Sequence, residues 1–179
     1  MKIQTILLPV DFSTCAMIVT REAAGLAVQL GAKIVLVHIA ELSKSTSGNV
    51  AIQHEGIEET AEAYLLSDTR RRLEPFMALI REVGVAVEPL VKIGAVIPGI
   101  LEAAKEQHAD LIMIGTHGRT GLSRVVLGSV AEGVAHQTHL PVMLLRREVR
   151  PECGRDSCAW CPHSGQSLAE ARVAAEAEG

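Results

Sequence analysis

Apolar and polar positions along this chain alternate between two rhythms. Ile3 to Val10 is a short apolar run of strand length, and Lys33 to Ile39 is a second, with Ile34, Val35, Leu36 and Val37 as its continuous buried stretch. Val85 to Val91, Leu111 to Ile114 and Val142 to Leu145 complete a set of five predicted strands. Between them apolar residues recur at the helical period. Val19, Ala23, Leu26, Ala27 and Leu30 share one helix face, Gly31 follows as a C′ residue, and Asp11 and Ser13 are candidate N-caps at its start. Ile57, Ala61, Leu65, Leu73, Met77 and Ile80 predict a long amphipathic helix that Pro75 should kink or split. Ile97, Ile100, Leu101 and Ala104 predict another, and Ser129 to Thr138 a last one. Ser43 to Gly56 is small and polar and reads as a mobile loop.

Strands alternating with helices over short links predict an α/β domain with a parallel sheet and right-handed crossovers. Pro89 removes a ladder donor, which places the third strand at a sheet edge. The composition agrees. Of 179 residues, 48% are hydrophobic but only 2% aromatic, so the core must be built from Val, Ile, Leu and Ala, as in parallel strands covered by helices. A net charge of −4 and so few stacking rings argue against a nucleic-acid partner. No apolar run approaches the roughly 20 residues that span a membrane. Met1 to Leu8 leads straight into strand-like sequence without the layout of a signal peptide, so the expected location is cytoplasmic.

The candidate chemistry lies after the fourth strand. Gly115, Gly118 and Gly128, with Ser129, give the spacing G-x2-G-x9-G-S between a strand and a helix start. Glycines let backbone pass close to a ligand, and the first N–H groups of a helix attract an anion. The Walker A pattern and G-x-G-x-x-G are both absent, so this is not an ordinary P-loop or dinucleotide fingerprint. Two roles stay open for several residues. Asp11 either caps the first helix or accepts hydrogen bonds from a ligand. Ser129 is an N-cap, a phosphate donor, or both. Arg119 either pairs with phosphate oxygens or faces solvent, and the nearby loop His117 is more often structural than chemical.

At these residues the chain resembles the nucleotide-binding members of the universal stress protein family, over roughly residues 1–147. The resemblance implies an open five-stranded parallel sheet in the order 3-2-1-4-5 with helices on both faces, a Rossmann-like fold of the adenine nucleotide alpha hydrolase type. It implies an adenine nucleotide, ATP or else ADP or AMP, carried with Mg²⁺. Pro9, Val10 and Asp11 would lie beside the adenosine, and the backbone of Ile39 would read the adenine edge. His38 is expected to pack or hydrogen-bond at its strand end rather than act in chemistry. Ile114, Gly115, Gly118 and Arg119 would follow the ribose and phosphates, with Gly128, Ser129 and Val130 offering N–H groups. It also implies a homodimer paired through the fifth strand.

A phosphate cradle by itself binds; phosphoryl transfer also needs charge neutralisation and a positioned nucleophile. The expectation is therefore a regulatory, stress-response module with at most slow hydrolysis or autophosphorylation. A genuine ATPase is the alternative. A third possibility comes from residues 148–179, a Cys-containing extension outside the resemblance. Cys153, Cys158, Cys161 and His163 give C-x4-C-x2-C-x-H, which suits a Zn²⁺ site, a reversible Cys158–Cys161 dithiol or an unstructured tail. Such a tail would make the protein a thiol- or metal-sensing scaffold. Cys15, near the first helix, reads as a small buried hydrophobe.

Overall fold

A computed structural model describes residues 2–13, 15–41, 51–54, 57–116 and 128–145. The elements run β1 (Thr5–Pro9), α1 (Ala16–Leu30), β2 (Lys33–Ala40), β3 (Ala51–His54), β4 (Ile57–Thr60), α2 (Ala61–Glu82), β5 (Val87–Ile93), α3 (Val96–Glu106), β6 (Leu111–Gly115), α4 (Ser129–Gln137) and β7 (Val142–Leu145). Five strands form one sheet in the order β5-β2-β1-β6-β7, and every neighbouring pair in it is parallel. Numbered within that sheet alone, the order is 3-2-1-4-5. Pro89 sits on the edge strand β5, opposite Leu36, where its missing N–H costs no ladder bond on the outer side.

Side chains alternate across the sheet, and two cores result. Ile6, Leu8, Ile34 and Leu36 pack with Ala23, Ala27, Leu73 and Ile80 of α1 and α2. Leu7, Val35, Val37 and Ile112 pack on the opposite face with Ile100, Ala103, Ala131 and Val134 of α3 and α4. The many alanines let the helices approach closely. Gly31 ends α1 at φ 63, and the N–H groups of Gly31 and Ala32 donate to Val28 and Ala27, a Schellman closure that needs the left-handed residue.

Several local expectations are corrected. Part of the polar stretch before α2 is an antiparallel hairpin, with Ala51 paired to Thr60 and His54 to Ile57. Ile57 therefore belongs to a strand and not to the long helix. That helix starts only at Ala61, because the Thr60 side chain accepts from the Ala63 N–H at 3.1 Å and caps it. Pro75 does not split it. Pro75 is exposed, so its missing bond falls on the solvent side, while Leu73, Phe76, Met77 and Ile80 anchor the helix on both sides of it. Neither Asp11 nor Ser13 caps α1. The cap position is Cys15, which is half-buried and not buried, and its side chain makes no capping hydrogen bond to the helix. The third strand also lies slightly later than its apolar run suggested, because Gly94 and not Val91 ends its pairing with β2.

Two charged groups tie elements together. Lys92 of β5 lies 2.6 Å from Glu102 and 2.9 Å from Glu106 on α3. Burial works against its charge, but the two carboxylates outweigh that and raise its pKa. Asp110, just before β6, accepts from the N–H of Gln4 at 2.8 Å and of Thr5 at 3.0 Å. Those two donors hold its carboxyl below the usual range.

Candidate ligand cleft at the carboxyl edge of the sheet

An open cleft of about 540 Å³ lies beyond the carboxyl ends of β1, β2 and β6. In a doubly wound sheet this is where strand order reverses and where ligands bind. Pro9, Val10 and Asp11 enter it from the end of β1, Ile39 from β2, Ile114 and Gly115 from β6, and Gly128, Ser129 and Val130 from the start of α4. Gly118, Arg119 and His117 lie outside the described residues, as do Cys153, Cys158, Cys161 and His163. Among the described residues no cluster of three or more His, Cys, Asp or Glu is arranged to hold a metal.

The α4 side is built around Gly128. Its backbone is extended, φ −62 and ψ 139, so conformational freedom is not what it supplies. It supplies space. A Cβ there would lie 2.8 Å from the carbonyl oxygen of Thr116, to which the Gly128 N–H donates at 2.9 Å. The end of β6 is thus drawn tightly against the start of α4. The cap residue is Gly128, so Ser129 is the first residue of the helix and not its N-cap. The Gly128 carbonyl takes the first helical bond, from Glu132. The N–H groups of Ser129, Val130 and Ala131 precede that bond and have no acceptor within the helix. All three residues line the cleft, at the positive end of the helix dipole.

The β2 side presents backbone. Pro9 is the last residue of β1 in register, opposite Val37. The Val37 carbonyl accepts from the Val10 N–H, while the Ala40 carbonyl faces the other way and accepts from Gly94 beyond β5. Peptide groups alternate sides along a strand. Ile39 therefore directs its N–H and C=O to the side on which β1 has ended. The Val10 carbonyl, the next acceptor in line, is 2.7 Å from Nδ1 of His38. A carbonyl can only accept, so that nitrogen carries the proton. His38 is thus a structural latch, as expected of it.

Between these sides sits a turn. Asp11 Oδ1 accepts from the Ser13 N–H at 3.0 Å, so this carboxylate shapes the loop two residues on rather than the helix. Phe12 follows it with φ 58, left-handed for a bulky aromatic. That conformation costs about 1–2 kcal/mol and persists only where its surroundings impose it. The surroundings are the His38 ring, 4.3 Å away centre to centre, Phe76 at 5.9 Å, and the Arg72 guanidinium 4.1 Å from the ring centre. Leu65, Thr69 and Arg72 of α2 form a further wall. Sequence reasoning missed this wall: it reads Leu65 only as part of a helix's apolar face and does not single out Thr69 or Arg72. The spacing 65, 69, 72 is one helix face, but nothing local says that the face ends in a cleft.

The fold and cleft define a doubly wound α/β protein whose carboxyl-edge crevice joins a helix N-terminus to an open strand edge. The family model for the universal stress protein family matches residues 2–146, and the chain belongs to that family. Universal stress protein MJ0531 of Methanocaldococcus jannaschii is 30% identical over 142 residues, covering 79% of this chain and 81% of its own. The structure of MJ0577, described as a hypothetical protein whose biochemical function was assigned from structure, superposes with a TM-score of 0.67 at 22% identity over 84% of this chain and all of that one. A universal stress protein from Archaeoglobus fulgidus in complex with dAMP superposes at 0.56 with 25% identity, over 80% of this chain and 98% of that one. Among the described residues no helix is long and apolar enough to cross a membrane.

Proposed function

We propose that this protein binds an adenine nucleotide, ATP or else ADP or AMP, in the carboxyl-edge cleft and acts as a regulatory module in a stress response. The observation that carries the proposal is that one cavity holds both kinds of recognition group. The α4 N–H groups suit phosphate, while the Ile39 backbone edge and the Asp11 carboxylate suit a base or ribose. The dAMP-bound relative supports the ligand class. Gly115, Gly118 and Arg119 would follow the phosphates along the glycine-rich loop. Mg²⁺ would arrive with the nucleotide, and Asp11 and Ser129 are two oxygen-bearing side chains of the cleft that could share it. A bound cation there neutralises phosphate charge.

Native purification followed by denaturation and mass spectrometry should release an adenine nucleotide. Calorimetric titration of the stripped protein should then give a Kd of roughly micromolar order for ATP. No released nucleotide and no heat with ATP, ADP or AMP would remove the proposal. Phosphate release is expected below roughly 0.01 per second, under the usual range for enzymes. Turnover within that range would establish the ATPase alternative.

We also infer a homodimer through β7. Among the described residues this strand is paired on one side only, by β6, and exposes Met143 and Leu144, which are 39% and 40% accessible. An apolar edge invites a second strand, and pairing with its own copy closes it across a two-fold axis. Light scattering should report twice the 19.1 kDa chain mass. Met143→Asp/Leu144→Asp should report the single chain, with nucleotide binding retained. A wild-type monomer at micromolar concentration would refute the inference.

A further inference from the structure

We propose that Arg72 reads the base end of the ligand, its guanidinium donating a hydrogen bond to a ring nitrogen of the purine, N1 or N7. This rests on the nucleotide reading of the cleft and extends it to a residue of α2. The order β2-β1-β6 separates the α4 terminus from the β2 end by two strand spacings, about 10 Å. A phosphate held at Ser129 and Val130 therefore leaves the far end of the molecule over β1 and β2. The wall it meets there is Leu65, Thr69 and Arg72.

Arg72 is equipped for this. Among the described residues it has no carboxylate partner, whereas Arg71 pairs with Asp68 and Arg81 with Glu74. Its contact is the Phe12 ring. Phe12 is in turn held in its left-handed conformation against His38, and His38 is latched to Val10. The guanidinium is thereby restrained before ligand arrives, which lowers the ordering cost of binding. Guanidinium donates only and carboxylate accepts only. Arg72 and Asp11 in one cleft match an edge that presents an acceptor beside a donor, as adenine does with N1 or N7 next to its 6-amino group.

The test is calorimetric titration of the full chain with ATP, 1-deaza-ATP and 7-deaza-ATP, for wild type, Arg72→Ala and Arg72→Lys. Arg72 is exposed on a helix and alanine is a good helix former, so the fold should survive, and a thermal melt checks it. Arg72→Ala should bind ATP about tenfold more weakly. One deaza analogue should cost wild type a similar factor and cost Arg72→Ala nothing further, with Arg72→Lys intermediate. A structural role for Arg72 would not produce that selective loss of coupling. The inference fails if Arg72→Ala binds ATP like wild type, if both deaza penalties persist in the variant, or if its loss tracks the number of phosphates across ATP, ADP and AMP. In each of those cases wild-type binding of ATP leaves the nucleotide reading standing. Wild type that binds no adenine nucleotide removes both.

Discussion

Gly128→Ala is expected to weaken adenine-nucleotide binding by roughly a hundredfold. The added Cβ would sit 2.8 Å from the Thr116 carbonyl oxygen, closer than real Cβ contacts come. That oxygen is backbone at the end of a strand whose residues up to Ile114 are buried, so it cannot swing aside. The hydrogen bond between the same two residues, at 2.9 Å, already holds the chains at contact distance. The start of α4 must move, and the N–H groups of Ser129 and Val130 move with it. Displacements on that scale misalign hydrogen bonds whose strength depends on distance and angle. Backbone conformation is not the cause, because φ −62 and ψ 139 suit alanine. Gly133→Ala is the control. Its Cβ would meet Ile97 Cδ1 at 2.4 Å, but that is the end of a flexible side chain that can rotate away. Calorimetric titration should show near wild-type affinity for Gly133→Ala and the large loss for Gly128→Ala. Equal affinities in the two variants would mean that the close approach at Gly128 does not organise the phosphate end.

Asp110→Ala is expected to lower folding stability by about 2 kcal/mol, the scale for losing hydrogen bonds to a charged acceptor. Asp110 accepts from Gln4 and Thr5 and donates its own N–H back to the Thr5 carbonyl at 2.9 Å. It fastens the first residues of β1, the central strand, to the turn that launches β6. Its pKa is lowered by the Gln4 and Thr5 N–H groups, so folding favours the ionised form. The contribution is therefore fully present above the unfolded-state pKa of about 3.9 and is lost as pH falls through the lower folded-state value. Urea titrations from pH 7 downward should show wild type more stable than Asp110→Ala at neutral pH. The gap should close only below about pH 4. A gap that is constant from pH 7 to pH 3 would show that the carboxylate charge is not what fastens the strand.

Much of this architecture was legible locally. Continuous apolar runs marked four of the five sheet strands, because parallel strands covered on both faces have no polar side to alternate with, whereas the edge strand β5 carries Glu88 and Lys92 within it. Pro89 named an edge and Gly31 a helix end, since each residue type is chemically committed to such places. Nine residues expected at the ligand, from Pro9 to Val130, do line one cleft. What they bind there is the proposal above. The errors were of another kind. Ile57 and Ala61 are spaced like neighbours on a helix face, yet Ile57 pairs with His54 in a hairpin. The spacing of two residues does not distinguish a helix turn from a strand that happens to end between them. Asp11 suits a cap as well as a turn, and only the distance to Ser13 N–H chooses.

The amino-acid sequence by itself determined the alternation of strands and helices, the edge position of β5, the aliphatic core and the glycine spacing, because each is a property of residues close together in the chain. The tertiary structure alone decided which distant residues meet. It brought Arg72 over Phe12, latched His38 to Val10, turned the Ile39 backbone toward the cleft, and pressed Gly128 against Thr116. Those contacts join segments separated in sequence, and their geometry follows from strand order and helix packing. No local periodicity encodes that geometry.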